Sequence, residues 1–88
     1  MYNNKMLDEI YCNIDKMICT IYKDGKRDVS YDIMPNEAAH KIAGIIADKY
    51  MSEVKCTIRT EYDHYLGCKV IKSVSYPNGV RWNFEYVY

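Results

Sequence analysis

A histidine beside a carboxylate is the pairing most able to do acid–base chemistry, and this chain holds one, Asp63-His64, in the stretch DHYLG. An imidazole titrates near neutrality and a carboxylate can orient it as a general base, but the role also needs a nucleophile to act on. No Ser or Cys stands in a recognisable nucleophile motif, so Asp63-His64 reads as part of an exposed loop. The other histidine, His40, falls on the edge of a helix-type segment. Asp28, Ser30 and Asp32 have the spacing of a strand-borne metal triad. They alternate with Val29, Tyr31 and Ile33, which predicts the solvent side of a half-buried strand instead.

Cys12, Cys19, Cys56 and Cys68 lie seven, thirty-seven and twelve positions apart, with no CxxC pair and no zinc-finger spacing. They are expected to be reduced and mostly buried thiols of a cytoplasmic protein. A metal held by Cys56, Cys68 and His64 would require distant segments to converge, and burial explains both cysteines without one. A phosphate-binding glycine loop, an HExxH pair and a magnesium-type acidic cluster are all missing from the sequence. The expectation is a protein that is not an enzyme and takes no cofactor or metal.

The elements that position these residues are legible in the apolar spacing. Residues 4–16 place Leu7, Ile10, Tyr11 and Ile14 at helical intervals, with Asn4 as the expected cap. A hairpin follows around Lys23-Asp24-Gly25. A three-residue loop would pair Tyr22 with Lys26 and set Met17, Cys19 and Ile21 on one face with Val29, Tyr31 and Ile33. A two-residue Asp24-Gly25 turn would put Cys19 across from Ser30 and mix the faces. Residues 36–50 predict a second helix, capped by Asn36 and buried along Ala39, Ile42, Ala43, Ile46 and Tyr50. Gly44 in its middle suggests close approach to a strand.

Three strands complete the chain. Val54, Cys56, Ile58, Thr60 and Tyr62 alternate with polar residues, a strand from Cys68 to Tyr76 follows the DHYLG loop, and YPNGV makes a turn that pairs Tyr76 with Val80. That register opposes Val74 to Trp82 and Val70 to Tyr86. Trp82 and Phe84 belong to the core face. The predicted architecture is α+β, a single domain of residues 1–88 in the order α-ββ-α-βββ, with an antiparallel sheet of about five strands and helices packed on one face.

Composition supports one folded unit: 88 residues, 49% hydrophobic and 14% aromatic. Twelve basic residues balance twelve acidic ones. The balance argues against an acidic decoy and against a strongly basic nucleic-acid binder. No stretch has the apolar run of a membrane span or signal peptide, so a cytoplasmic location and no membrane partner are expected.

What remains is surface. Lys55, Arg59, Lys69 and Arg81 are expected on the outward faces of the last three strands, a modest basic field open to phosphate or an acidic partner. No aromatic residue is expected on that side, which disfavours single-strand nucleic acid. Ten tyrosines exceed what a small core can satisfy. Some must reach the surface, and Tyr2, Tyr65 and Tyr88 sit in a loop or near an end. His64, Tyr65, Leu66 and Tyr88 are the candidate partner-binding residues. The expectation is therefore a non-enzymatic interaction domain for a larger protein or nucleoprotein, with homodimerisation through an unpaired sheet edge or through aromatic strand ends compatible. Small inhibitors of phages and mobile elements, the anti-CRISPR type among them, share this size and balance, though no motif matches such a family. The alternative is a nucleic-acid or nucleotide-binding module on the basic face.

Overall fold

Val74 and Phe84 alternate with polar neighbours along their strands and Met17 and Cys19 take alternate positions on either side of Ile18, and in the computed structural model all four are almost wholly removed from water. The structure describes residues 4–88, so Tyr2 and the cap expected of the Asn4 side chain lie outside the described residues. The elements are α1 (Asn4–Tyr11), β1 (Lys16–Lys23), β2 (Lys26–Ile33), α2 (Pro35–Met51), β3 (Thr57–Asp63), β4 (Cys68–Ser75) and β5 (Val80–Val87). The strands form one antiparallel sheet in the order β2-β1-β5-β4-β3. α2 carries the chain from the β2 edge to the β3 edge across the face that α1 also covers. The α+β architecture expected from the sequence is the one observed.

Sheet and helices share one core, in which Met17, Cys19, Val74 and Phe84 pack with Leu7, Tyr11, Ile42 and Ile45. Burying a side chain the size of Phe84 contributes about 1.5–3 kcal/mol. Truncation to alanine would cost more, roughly 3–5 kcal/mol, because a cavity is left.

Both helices differ from expectation at their ends. α1 stops at Tyr11 rather than running to residue 16, because Met17 and Ile18 are taken into β1, where they oppose Tyr86 and Glu85. The Asp15 N–H already donates to the Val87 carbonyl at 2.7 Å. In α2 it is Met34, not Asn36, that occupies the cap position, with extended backbone and no side-chain cap. Pro35 is the first helical residue, where its missing N–H costs nothing. The buried face is Ala38, Ala39, Ile42 and Ile45, rotated from the predicted stripe, and Tyr50 is 73% exposed. Gly44 is exposed too, and a methyl group there would meet nothing within 4 Å, so close packing does not explain it.

Three departures of the strands from simple alternation govern the surfaces. The first hairpin uses the two-residue turn after all: Lys23 opposes Lys26, and Asp24 and Gly25 both have positive φ, 52° and 82°. Positive φ at both positions marks the primed turn whose twist matches the strands. A bulge then leaves Asp28 without an opposite residue, which restores the odd-on-odd pairing of Cys19 with Tyr31 and Met17 with Ile33. The second hairpin forms as expected, with the Tyr76 N–H donating to the Val80 carbonyl and Gly79 at φ 86°. Its Gly79 carbonyl accepts from the Asp24 N–H at 3.1 Å, so the two turns dock, and a Cβ on Gly79 would lie 2.5 Å from the Asp24 carboxylate.

The third departure is a bulge at Lys72, with Arg59 opposite Ser73 but Thr60 opposite Ile71. It inverts the first half of β4. Ile71, which simple alternation would turn outward with Lys69, joins the core, and Val70 does not pair with Tyr86, whereas Val74 opposes Trp82 as predicted. The β4–β5 ladder spans only Ser73–Ser75. Beyond it the Tyr86 hydroxyl donates to the Ile71 carbonyl at 2.6 Å, a side-chain donor where the β5 backbone no longer pairs with β4.

Candidate functional site

The β3–β4 connection is built around Asp63. Its Oδ1 accepts from the N–H groups of Tyr65 and Leu66, both at 2.9 Å, while its carbonyl accepts from Gly67, which sits at φ 73°. Those bonds fix a tight turn of the Asx type. They also commit one carboxylate oxygen to the backbone, so Asp63 serves the loop rather than orienting His64. Leu66, one of the expected contact residues, is half-buried against the core and anchors the loop. His64 and Tyr65 project outward.

β4 runs antiparallel to β5, so this loop and the last residues of the chain lie at the same end of the sheet. The Tyr65 and Tyr88 rings meet there, with centroids 4.3 Å apart and planes inclined by 33°. His64 meets the ring of Tyr62 edge-on at 5.0 Å. Tyr62, Tyr65 and Tyr88 remain 55%, 66% and 47% exposed. Three of the four expected contact residues, His64, Tyr65 and Tyr88, thus form an exposed aromatic tip on a hydrogen-bonded turn.

The four basic residues do not make one field. Arg59 and Arg81 share the open face, across from Ser73 and Ser75. Lys55 lies in the segment before β3. The Lys72 bulge sets Lys69 opposite Tyr62 and lets it line an apolar hollow on the helical side with Ile58 and Ile71. Contrary to expectation, the open face does carry an aromatic ring: Tyr22 opposes Arg81, whose guanidinium lies 4.5 Å over it.

A further cluster was hidden because Trp82 reads as core from alternation. Its ring is only partly buried, and the Lys41 ammonium lies 3.6 Å from the ring centroid, close to the Tyr31 hydroxyl at 3.3 Å. Tyr76 packs edge-on to Trp82 and donates to the Asp48 carboxylate at 3.2 Å. Burial, reinforced by that carboxylate, pushes the Tyr76 phenol up to about 12. The groove above is about 270 Å³ in volume, and Gly44 helps line it. The spacing of Lys41, Gly44 and Asp48 along one face of α2 was the available signal.

The thiols do not behave as a set. Cys19 and Cys56 are buried, Cys68 is half-buried and Cys12 is exposed, contrary to the expectation that most are buried. Burial pushes the Cys19 and Cys68 thiols up, away from the reactive thiolate. Among the described residues no three His, Cys, Asp or Glu side chains are grouped to hold a metal ion, and no helix is long and apolar enough to cross a membrane. No family model, curated protein or solved structure matches the chain.

Proposed function

We propose that this protein is a non-enzymatic interaction domain that docks on a larger protein through His64, Tyr65 and Tyr88. The observation that carries the reading is the ring contact between Tyr65 and Tyr88, two exposed tyrosines from distant parts of the chain. Tyrosine offers a large, rigid area with few torsions to freeze, and rings already packed on each other lose little further freedom on binding. The bonds from Asp63 hold the turn beneath them, so the loop is organised in advance. A more particular role, as an inhibitor of a larger protein or nucleoprotein of the kind phages and mobile elements carry against CRISPR systems, rests on size and charge balance alone.

The test is capture from a lysate of the source cells by the immobilised domain, with and without nuclease. Retention of one nuclease-resistant protein should fall about tenfold or more in the Tyr65→Ala/Tyr88→Ala variant. It should persist in Arg59→Ala/Arg81→Ala. Loss of retention on nuclease treatment, together with sensitivity to the arginine pair, would reject the tip and move the reading to nucleic acid on the open face.

A further inference from the structure

The sheet has two edges, and they are built differently. β2 is interrupted by its bulge at Asp28, and a bulged, twisted strand is a poor template for another strand. β3 contains no extra residue, since the irregularity opposite it lies in β4, and it has neither Pro nor Gly along Thr57–Asp63. Its Arg59, Thr60 and Glu61 are all exposed. The ion pairs among the described residues are Lys16–Asp32 and Lys23–Asp28, so Arg59 and Glu61 stand on the edge without an opposite charge.

We infer that β3 is a self-association edge, along which two copies of the chain pair antiparallel about a two-fold axis through Thr60. In that register Arg59 of each copy faces the partner's Glu61, twice over, on the open face. On the helical face Ile58 faces the partner's Tyr62. The neighbouring in-phase registers are excluded by charge. Centring the axis on Arg59 or on Glu61 would oppose each residue to its own copy, and like charges directly across a sheet are destabilising. A shift by a single residue would set Ile58 against a charged side chain on the wrong face.

Seven paired residues alone would make a small contact, and the helical side of the same edge supplies apolar area. Tyr50 lines a hollow with Ile46, Ile58 and Thr60 and is 73% exposed. A second copy seated on β3 would cover that ring, giving the self-complementary patch that a closed two-fold dimer requires. The sheets would join into a continuous ten-stranded one. Tyr65 and Tyr88 take no part in the register, so the pairing does not rest on the proposed tip, although Tyr62, which meets His64, and Asp63, which holds the turn, belong to the paired strand.

Sedimentation equilibrium on the full chain tests this through charge reversal. The wild type should sediment at twice its 10.4 kDa. Arg59→Glu and Glu61→Arg each replace both attractive pairs with repulsive ones and should weaken the dimer about tenfold or more. The combined R59E/E61R chain restores opposite charges and should regain the dimer, with far-ultraviolet circular dichroism confirming that each variant is folded. A wild type that stays at 10.4 kDa over the whole concentration range would overturn the inference. So would a dimer indifferent to the single reversals, or one that the double exchange fails to rescue.

Discussion

Replacing Tyr86 by Phe isolates one hydrogen bond at the point where the sheet is weakest. The hydroxyl donates to the Ile71 carbonyl at 2.6 Å, next to the Lys72 bulge and past the end of the β4–β5 ladder. It also lies 3.4 Å from the Tyr11 hydroxyl, and burial pushes its phenol strongly upward. The variant keeps the ring, and hence its packing on Met17 and Tyr11, and removes one oxygen. The carbonyl left behind has lost its donor in a part-buried setting, which costs about 1–2 kcal/mol. In a domain of this size each kcal/mol lowers Tm by about 4–8 °C, so the midpoint should fall by about 5–15 °C. Urea unfolding at one fixed protein concentration gives the free energy, with the slope expected unchanged. Tyr65→Phe is the control: its ring is 66% exposed, and loss of its hydroxyl should change stability by less than about 0.5 kcal/mol. If the two variants are equally stable, the Ile71 carbonyl has another donor and the bulge is held by other means.

Two further outcomes follow from the same reasoning. Gly44→Ala removes a flexible residue from an exposed helical position where the added methyl meets nothing, and should raise stability by about 0.5–1 kcal/mol in urea unfolding; a loss would mean that the groove beside Trp82 depends on the gap. In alkali, Tyr76 should ionise later than an ordinary phenol, at about 12 against 10.0. Its contribution is fully present below the unfolded value and is lost as pH rises through the folded one, so stability falls across that window because the native state holds the proton longer. Ultraviolet titration of the wild type and Tyr76→Phe should differ by one late-titrating phenol, and an early one would contradict the Asp48 contact.

Element types were legible in the sequence because they are decided locally. Alternation in β1, β3 and β5, the helical spacing of α2, and the positive-φ glycine of the YPNGV turn each depend on a few neighbouring residues. The same is true of the Asp63 turn, whose Asp and Gly stand within five positions. Part of the candidate tip was legible for that reason: Tyr65 sits in a loop, and Tyr88 follows the last strand. The burial of Leu66 and the meeting of Tyr65 with Tyr88 were not legible, because they depend on which end of the sheet the loop shares with β5.

Register and strand order were beyond local pattern. A bulge changes the count by one residue and is chosen by how whole strands fit each other, so the Asp28 bulge could rescue a turn that local reasoning had rejected. The Lys72 bulge likewise carried Ile71 into the core and Lys69 out of the basic field. Strand order is set by which apolar faces bury best together, and it made β1 and β5 inner strands and left β3 as an edge without a bulge of its own. What the sequence by itself determined was the kind of each element and the apolar side of most. The tertiary structure alone decided which side chains share a surface, because side-chain direction reverses with each residue of register and register is fixed by contacts between distant segments.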